Sequence, residues 1–506
     1  MQSLPIEHPE TIVAVDDWQA DSLVHSVMLW LALMGVQRMV GFVRAVLFCR
    51  WLDVEQLGLW DMAFNFLMFA SPLAVLSLPG AFGRYAEYYR LCGQLRPFLR
   101  RTSAVCVLLA SASLILIVLN QSWFSELIFG STRRTELILL VAAGLMMVVA
   151  YNYFVSLLTA LRKVRLAATM EFVFGLTFAV LGITLLLTWR CNAGSVVIAY
   201  GGSALISIAA VSKWIIAAWK ASPENIEPLP RQAMWSKLIP FTAWILAINL
   251  LTNLFSIVDR YMIIHFASGS DEETLALVGQ YHSSRVVPLL FVSIASMMAA
   301  VLLPHLSHDW ESGRRDLVAR RLNLFLKLQA YALMAASGAV LFIAPWLFEV
   351  AFQGKFPGGI AVLPWTLIYC IWFGLALVAQ QYLWCAERAG LVGLAIGIGL
   401  AANIALNLML LPRLGLLGAV LAAAAANFIA LILILVFMRL AGFHVHKGLW
   451  IILSVSPAIC LGPWVTIGVV SVITLEAIRS DYLLSSDEKD QVLEGIKNYW
   501  RILWGT

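Results

Sequence analysis

The chain has 506 residues, of which 61% are hydrophobic and 12% are charged. A soluble globular protein is about half apolar and a quarter charged, so this composition excludes an ordinary soluble protein. Apolar runs of about 20 residues, the length that a helix needs to cross a bilayer, recur from end to end. The net charge of +5 gives no indication of nucleic-acid binding, because it arises in the connections between these runs. The composition therefore predicts an all-α, polytopic membrane protein.

About thirteen transmembrane helices are predicted, within a range of twelve to fourteen. Residues 1–22, which precede the first helix, are polar and acidic and lack the basic region and cleavage site of a signal peptide. The predicted spans are 24–48, 57–79, 103–120, 136–160, 167–189, 195–219, 238–266, 278–304, 323–347, 360–384, 390–411, 415–438 and 449–473.

The charges of the connecting segments predict the orientation of the chain. With the N-terminus in the cytoplasm, the inner connections hold eighteen lysines and arginines and the outer connections hold six. An excess of basic residues in the cytoplasmic loops is the usual bias of membrane proteins. We therefore expect a cytoplasmic N-terminus.

Two weak internal matches predict that the chain is a duplication. Pro79 and Pro304 end the second and eighth predicted spans, and Arg165 and Arg388 lie thirty residues before Ser195 and Gly418, respectively. The offsets are nearly equal, 304 − 79 = 225 and 388 − 165 = 223. A parallel six-plus-six repeat places a substrate site between two lobes. The predicted parts are a cytoplasmic N-terminal segment (1–22), a six-helix lobe (23–220), a cytoplasmic linker (221–237), a second six-helix lobe (238–440), an extra membrane span (441–475) and an amphipathic tail (476–506).

Two alternatives stay open for the C-terminal part. The segment 449–473 contains Pro457 and Pro463, so it is either one span, which places the tail outside, or a hairpin, which places the tail inside. Ser486 precedes two acidic residues and a helical spacing of apolar residues, which predicts a capped amphipathic helix in the tail. A disordered tail is the alternative.

Polar residues follow one face of the seventh predicted span, 238–266. Such groups are costly in hydrocarbon and are expected to face protein or a water-filled cavity. Their spacing of i, i+7, i+11, i+14 and i+18 forms a narrow stripe, which consists of Thr242, Asn249, Asn253, Ser256 and Arg260. Gln37, Gly41 and Arg44 form a similar face on the first span. We expect these faces to border a shared substrate cavity.

Arginines on these faces predict an anionic substrate, because a guanidinium group can donate two hydrogen bonds to one phosphate. The predicted substrate-binding residues are Arg38, Arg44, Arg285, Arg260, Asn249 and Asn253. The predicted coupling or gating residues are Asp61, Glu171, Asp259 and His282.

Each of these residues also has a structural interpretation. Arg44 and Asp61 lie near the facing ends of the first two spans and could pair. Asp259 and Arg260 could anchor the outer membrane interface. His282 could be a packing residue rather than a protonation switch, and the pair Asn403 and Asn407 is interpreted as interhelical hydrogen bonding more than as a ligand site.

The chain has no motif that indicates an enzyme or a cofactor. It lacks a GxxxxGK[ST] nucleotide loop and the HExxH and GxSxG motifs. Its seven scattered cysteines form no CxxC and predict neither disulfides nor a metal site. The expected drive is therefore a coupling H+ or Na+, the membrane potential, or consumption of the product.

Four segments carry motifs of a known transporter family. Residues 399–429 contain Asn407-Leu408, Pro412, Gly415 and Gly418-Ala419, and the segment WLDVEQLGLW contains Gly58. The third and fourth segments contain the pair Asp259-Arg260 and the residues Tyr281, Arg285 and Pro304. Together these segments resemble bacterial polysaccharide flippases of the multidrug and oligosaccharide exporter superfamily. The resemblance implies two six-helix lobes around a cationic cavity, in which Arg38, Arg44 and Arg285 contact the pyrophosphate of a polyprenyl-linked sugar. The thirteenth span and the Trp-rich tail depart from the family pattern.

The sequence thus predicts a flippase that carries a polyprenyl-pyrophosphate-linked oligosaccharide across the bacterial cytoplasmic membrane by alternating access. The expected partners are this lipid-linked oligosaccharide, membrane lipid and a polysaccharide polymerase or glycosyltransferases, with no nucleic acid. The alternatives are a cation-coupled multidrug exporter of the same fold, a membrane glycosyltransferase or ligase, and a scaffold without transport activity.

Overall fold

The computed structural model describes the backbone of residues 23–221 and 230–491, together with 494 and 497. Side chains are described from residue 34 onwards within these ranges, except for 218–221. The predicted N-terminal segment, residues 222–229 of the predicted linker and the end of the predicted tail lie outside the described residues. Within them every regular element is a helix or a helical turn, and no strand occurs.

Seventeen α-helices follow one another along this described part of the chain. They are α1 (Leu23–Trp51), α2 (Val54–Ala74), α3 (Phe82–Leu91), α4 (Leu95–Leu119), α5 (Gln121–Phe129), α6 (Thr135–Ala160), α7 (Val164–Thr188), α8 (Ala193–Ala221), α9 (Arg231–Phe266), α10 (Asp271–Arg285), α11 (Pro288–Glu311), α12 (Arg315–Trp346), α13 (Pro357–Cys385), α14 (Ala389–Leu414), α15 (Leu416–Leu440), α16 (Lys447–Val455) and α17 (Pro463–Arg479). Short 3-10 turns cover Leu78–Ala81 and Ser456–Leu461, and a π-helical turn covers Leu347–Ala351.

Eleven helices of the described part are long and apolar enough to cross a membrane by length and composition. They are α2, α4, α6, α7, α8, α9, α11, α12, α13, α14 and α15. The predicted class, an all-α polytopic membrane protein, is confirmed. The predicted count of thirteen spans is not reached among the described residues.

The chain divides into two compact units, residues 1–257 and 258–506. The first unit contains α1 to α8 and the first part of α9, and the second unit contains the rest of α9 and α10 to α17. The division therefore falls inside a continuous helix, after Ile257, and not in the predicted linker 221–237.

In the first unit, the predicted span 57–79 stops early. α2 ends at Ala74, and both Leu76 and Ser77 have left-handed backbone conformations with φ of 49° and 52°. Residues other than glycine rarely adopt this conformation, so the helix cannot continue through it. The chain turns there and then forms the short helix α3, which connects α2 to α4.

In the second unit, α13 is the most enclosed helix and packs against α10, α11, α12 and α15. The predicted continuous span 278–304 is wrong, because two helices replace it. α10 ends at Arg285, and α11 begins with Pro288. A proline within a helix lacks the N–H donor and clashes with the preceding turn, whereas it is tolerated at the first helical position.

The C-terminal part of the second unit forms a hairpin rather than the predicted single span over 449–473. α16 ends in the 3-10 turn, which contains Pro457, and Gly462 then has a φ of 105° before Pro463 begins α17. α17 returns along α12, with the Tyr331 and Thr474 hydroxyls 2.7 Å apart. A single helix cannot pass a residue with this backbone conformation followed by proline.

Both ends of this hairpin meet the same part of α12. Lys327 Nζ lies 3.5 Å from Nδ1 of His446, before α16, and donates to the carbonyl of Leu483, after α17, at 3.1 Å. The helix that follows is capped by Ser485, whose hydroxyl accepts from the N–H of Glu488. The predicted cap at Ser486 is therefore displaced by one residue.

Candidate functional site

Seven polar and aromatic side chains of the second unit form one connected group, which we name the tyrosine cluster. The members come from α9, α10, α13 and α14 and are Asp259, Arg260, Tyr281, Arg285, Tyr369, Asn403 and Asn407. The sequence separates them by up to about 150 residues, and only the packing of four helices brings them together.

Tyr281 is the centre of the tyrosine cluster. Its side chain is fully buried, and its hydroxyl donates to Oδ2 of Asp259 at 3.2 Å. The guanidinium carbons of Arg260 and Arg285 lie 5.4 Å and 5.3 Å from the centroid of its ring. A cation within about 6 Å of an aromatic centroid is attracted by the ring quadrupole. One ring thus holds two cations and one carboxylate in fixed positions.

Asp259 also connects α9 to α14. Its Oδ1 accepts a hydrogen bond from Nδ2 of Asn407 at 3.3 Å, and the same Nδ2 donates to the carbonyl of Asn403 at 3.0 Å. Asp259 and Arg260 are 5% and 3% exposed, so the interpretation of this pair as an anchor at the outer interface is wrong. Asn407 makes the interhelical hydrogen bond that the asparagine pair predicts.

Several polar atoms of the cluster are buried and have no hydrogen-bond partner among the described residues. They are Nε and Nη1 of Arg285, the hydroxyl of Tyr369, Nδ2 of Asn403 and Oδ1 of Asn407. Most buried polar atoms in proteins are hydrogen-bonded, because an unsatisfied one costs about 1–3 kcal/mol and more when it is charged. A group of such atoms around a guanidinium is typical of a site that binds a ligand.

The contacts of α10 with the start of α13 fix the position of Arg285. Gln280 donates to the carbonyl of Lys355 at 3.2 Å and accepts from the N–H of Gly359 at 2.9 Å. Ser284 and Thr366 hydroxyls lie 3.2 Å apart one turn further along. These contacts occur directly before the break after Arg285, so the start of α13 fixes the end of α10 that carries this guanidinium.

The first unit contains a different cationic group, which we name the ring cluster: Arg44, Phe48, Trp60, Phe178 and Tyr200. The guanidinium carbon of Arg44 lies 4.0 Å from the centroid of Phe178 and 6.0 Å from that of Phe48. Tyr200 packs edge-on against Phe178 at 5.0 Å, and Trp60 contacts both at 5.6 Å and 5.8 Å. Arg44 therefore lies on aromatic rings.

Small residues of α7 allow α1 to approach closely enough for these contacts. A Cβ atom at Gly175 would lie 2.8 Å from Cγ of Gln37, and one at Gly182 would lie 2.8 Å from Cζ of Phe48. Nε2 of Gln37 donates to the backbone carbonyl of Glu171 at 3.1 Å. The predicted face of the first span thus packs on α7 through its Gln37 end, which orients Arg44 two turns later.

The other predicted residues lie in varied surroundings. Arg38 is exposed, whereas Asp61 is buried and its backbone carbonyl accepts from Nδ2 of Asn65 at 2.6 Å. Nδ2 of Asn249 donates to the Ser77 hydroxyl at 3.2 Å, at the turn after α2. The remaining three, Asn253, Glu171 and His282, are half-buried. The tyrosine cluster therefore includes Arg260, Arg285 and Asp259 of the predicted set, and Asn249 and Asp61 belong to other contacts.

Tyr369 and Phe178 are two members that sequence patterns did not indicate. Each is an aromatic residue inside an apolar span. Only the arginine that packs on each ring distinguishes it, and that arginine comes from another helix. The positions of Arg44 and Arg285 in spans could have suggested that aromatic partners exist, but not which ones.

The chemistry of the tyrosine cluster follows from its charges. Two guanidinium groups and one carboxylate give a formal charge of 2 − 1 = +1 in a buried environment, where electrostatic interactions are stronger than in water. The unsatisfied donors of Arg285 suit an anion with several oxygen atoms, such as a phosphate. The Asp259 carboxylate, with two amide side chains beside it, offers oxygen ligands to a proton or a hard cation.

Comparisons with known proteins agree with this architecture. Residues 23–310 match the family model described as polysaccharide biosynthesis protein. The uncharacterized membrane protein YabM of Bacillus subtilis (strain 168) is 26% identical over 206 residues, which are 40% of this chain and 38% of that protein. The chain thus aligns with less than two thirds of the length of this relative.

Solved structures share the fold over most of the chain. A lipid II flippase MurJ in an inward closed conformation has a TM-score of 0.64 at 16% identity and covers 89% of this chain and 98% of its own. An inward-facing multidrug resistance MATE family transporter of the MOP superfamily has a TM-score of 0.65 at 13% identity, with 82% and 97% covered. At such low identity these similarities establish the fold alone.

The helical fold and the family match together define a multi-pass helical membrane protein. The family model covers more than half of the chain. The chain belongs to the polysaccharide biosynthesis protein family, and its fold is similar to those of the MurJ and MATE structures. The resemblance noted in the sequence is confirmed.

Proposed function

We propose that the protein is a flippase for a polyprenyl-pyrophosphate-linked oligosaccharide. The observation that carries this proposal is the Arg285 guanidinium, which has two buried nitrogen donors without a partner among the described residues and shares the Tyr281 ring with the Arg260 guanidinium. A pyrophosphate carries several anionic oxygens and can accept hydrogen bonds from such a fork. The sugar-lipid is then recognised by its pyrophosphate, and the lipid tail stays in the bilayer.

In this proposal Arg285 binds the pyrophosphate and Tyr281 positions Arg285. Arg260, whose guanidinium carbon lies 5.4 Å from the centroid of the same Tyr281 ring, adds positive charge. Arg44 and Arg38 of α1 attract the same anion in another state of the transport cycle, as expected for alternating access. Asn249 and Asn253 contribute less, since Asn249 already binds the turn after α2.

We place the coupling to an ion gradient at Asp259. Its carboxylate accepts from Tyr281 and Asn407, and its charge partly neutralises the two arginines. Binding of H+ or Na+ at this carboxylate weakens its attraction for the arginines and leaves them more available to the pyrophosphate. Ion binding and substrate binding are therefore linked through one buried ring. Asp61, Glu171 and His282 lie outside this cluster and are secondary candidates.

Fluorescent undecaprenyl-pyrophosphate-linked sugar, reconstituted with the protein in proteoliposomes, tests this function. The wild type is expected to move the fluorophore across the bilayer, measured by its protection from a membrane-impermeant quencher. Arg285→Ala is expected to lose transport by about 30-fold or more, because a charged hydrogen bond contributes about 2 kcal/mol or more. Arg413→Ala removes an exposed arginine of the same unit and serves as the matched control. Equal transport by Arg285→Ala and the wild type would refute the role of this site.

A cation-coupled multidrug exporter is the second candidate, because the fold is shared with MATE transporters and Asp259 is a buried carboxylate. The excess of arginine over carboxylate in the tyrosine cluster favours anions. A binding assay separates the two: the exporter alternative requires that an organic cation bind the purified protein and that Asp259→Asn abolish this binding. The polyprenyl pyrophosphate alternative requires binding that Arg285→Ala abolishes.

The cellular setting follows from the same proposal. We place the chain in the bacterial cytoplasmic membrane with its N-terminus inside, as the loop charges predict. A polysaccharide polymerase or glycosyltransferase would supply or consume the lipid-linked oligosaccharide. Protease accessibility of an N-terminal tag in inside-out and right-side-out vesicles measures the orientation directly.

A further inference from the structure

A second group of cations lies in the first unit, where the start of α9 packs on the segment from α2 to α3. Four residues of α9 at a spacing of four form the contact face: Lys237, Phe241, Ile245 and Asn249. At its far end, Asn249 Nδ2 donates to Ser77, and Ile245 is so close to Gly80 that a Cβ atom there would lie 3.0 Å from the isoleucine. These two contacts join α9 to the turn after α2.

The near end of this contact face carries the cations. The Tyr85 hydroxyl donates to the carbonyl of Lys237 at 3.3 Å, and the Tyr85 ring packs edge-on against Phe241 at 5.5 Å. The guanidinium carbon of Arg84 lies 5.2 Å from the centroid of Phe241 and 5.7 Å from that of Tyr85. Lys237 Nζ lies 5.9 Å from the Tyr88 ring. We name Arg84, Tyr85, Tyr88, Lys237 and Phe241 the α3–α9 cationic site.

Arg84 and Lys237 differ in their partners from Arg90, the other arginine of α3. Among the described residues, neither Arg84 nor Lys237 forms an ion pair, whereas Arg90 pairs with Glu87 at 2.7 Å. The hydrogen bond from Arg90 lowers the pKa of Glu87, so this carboxylate stays ionised and engaged with Arg90. Arg84 and Lys237 are both exposed. The α3–α9 cationic site thus offers two positive charges that aromatic rings orient and that no carboxylate of the described residues neutralises.

The position of α3 identifies the surroundings of this site. α3 has ten residues, too few to span a bilayer, and connects the membrane helices α2 and α4. One of its faces is buried through Phe82, Ala86 and Tyr89, and the other exposes Arg84 and Tyr88, whose exposed fraction is 43%. An amphipathic helix with tyrosine and arginine on its open face is typical of the membrane–water interface. The site therefore lies at the level of lipid headgroups.

We propose that the α3–α9 cationic site binds the phosphate headgroup of an anionic membrane phospholipid. Arg84 donates to the phosphate oxygens, Lys237 adds a second positive charge, and Tyr88 packs at the interface beside the headgroup. Basic residues at a membrane surface attract anionic lipids, and an arginine oriented by rings loses less freedom on binding. The bound lipid links α3 to α9. This assignment concerns a lipid of the surrounding membrane and does not depend on the transported substrate.

Native mass spectrometry of the full-length protein in neutral detergent tests the proposal. The protein is mixed with phosphatidylglycerol, with phosphatidylcholine or with inorganic pyrophosphate. We expect the wild type to retain phosphatidylglycerol about tenfold more than phosphatidylcholine, since two basic residues contribute. The double variant Arg84→Gln/Lys237→Gln is expected to lose most of this preference. Arg133→Gln/Arg190→Gln removes two exposed arginines of the same unit and is the matched control.

Each outcome decides the proposal. Equal retention of the two lipids by the wild type, or an unchanged preference in Arg84→Gln/Lys237→Gln, overturns it. An equal loss in the control variant shows a general effect of charge and also overturns it. Stoichiometric binding of pyrophosphate without lipid, lost in the double variant, assigns the site to a free phosphate compound instead. The charge-conserving variant Arg84→Lys/Lys237→Arg is expected to keep at least half of the preference, which separates a binding defect from a folding defect.

Discussion

The ring cluster of the first unit and the tyrosine cluster of the second unit both place an arginine on aromatic rings, but the surroundings differ. Arg44 lies 4.0 Å from the Phe178 centroid and 6.0 Å from the Phe48 centroid, and neither of these two rings carries an oxygen. Arg285 packs on two tyrosines, one of which donates to a carboxylate. Two of the Arg285 nitrogen atoms are buried without a partner among the described residues.

An arginine can therefore have a packing role in the ring cluster and a ligand-binding role in the tyrosine cluster. A ring quadrupole contributes about 0.5–2 kcal/mol and has no preference for a particular anion. Unsatisfied N–H groups in a buried environment contribute more when a matching acceptor arrives, and they specify its geometry. The tyrosine cluster is therefore the better candidate for selecting a substrate.

Lys327 provides a third case within the second unit. Its ammonium group is buried and contacts both carboxylate oxygens of Glu488 at 2.7 Å and 2.5 Å, as well as the carbonyl of Leu483. A buried cation with a full set of acceptors has a structural role, because no donor remains for a ligand. Among the described residues, Arg285 thus keeps buried nitrogen donors without a partner, whereas the Lys327 ammonium group has no donor left for a ligand.

The largest effect is expected when the two arginines are compared directly. Arg285→Gln should reduce transport of the polyprenyl-pyrophosphate sugar by about 30-fold or more, since it removes charged hydrogen bonds to the substrate. Arg44→Gln should reduce it by about tenfold or less, the range of a cation–aromatic contact. Initial rates in proteoliposomes measure both. Equal losses would show that the two clusters contribute equally to binding.

A substitution that displaces the C-terminal end of α10, which carries Arg285, should have the next largest effect. A Cβ atom at Gly359 would overlap the Ser283 hydroxyl and lie 2.9 Å from the carbonyl oxygen of Gln280. Gly359→Ala is therefore expected to destabilise the second unit by about 1–3 kcal/mol, the usual cost of overpacking. Gly397→Ala, where a Cβ atom meets nothing within 4 Å, should be neutral or slightly stabilising. Thermal unfolding in detergent measures the difference, and equal midpoints would contradict the packing argument.

The carboxylate of Glu488 should come next in effect. Glu488→Gln removes the charge that compensates the buried Lys327 and is expected to destabilise the C-terminal hairpin by about 3 kcal/mol. Asp481→Asn removes a carboxylate that pairs with Lys489 on the surface and should change the stability little. Proteolysis rates at residues 480–491 report the release of the hairpin. An unchanged rate in Glu488→Gln would mean that packing along α12 is sufficient to hold it.

The hairpin should also respond to pH in a defined direction. Burial and the nearby Lys327 ammonium lower the pKa of His446. The unfolded histidine, with a pKa near 6.5, then binds a proton before the folded one does. Stability is therefore lost as the pH falls from about 6.5 towards the lower folded pKa. Hydrogen exchange of the hairpin between pH 7.5 and 5.5 measures this loss, and His446→Asn should remove most of the dependence.

The smallest effect on the transport rate is expected from a substitution of Asp259, the proposed coupling residue, when no ion gradient is applied. Asp259→Asn should change transport by only a few fold under symmetric conditions, because the arginines that bind the substrate remain. With a gradient of H+ or Na+, the wild type should accelerate and Asp259→Asn should not. Asp61→Asn, in the first unit, is the comparison and should still respond to the gradient. A gradient response that survives in Asp259→Asn but not in Asp61→Asn would move the coupling to the first unit.

The sequence predicted the helices well, because their apolar runs are long and the bilayer requires about 20 residues. It did not predict the break after Arg285 or the hairpin after Lys447. Both depend on single prolines, Pro288 and Pro463, whose position at a helix start and not in a helix interior is decided by neighbouring contacts. The hairpin was considered as an alternative, but composition alone could not distinguish it from a span.

Composition and local spacing show that the chain is a helical membrane protein and that Arg44, Arg260 and Arg285 are charges inside apolar segments. Short motifs carry the resemblance to polysaccharide flippases. The packing of helices, in contrast, places Arg260 and Arg285 on one tyrosine ring with Asp259 and places Arg44 on phenylalanine. Partners on other helices are set by packing, because helical periodicity defines which face is polar but not which face it meets.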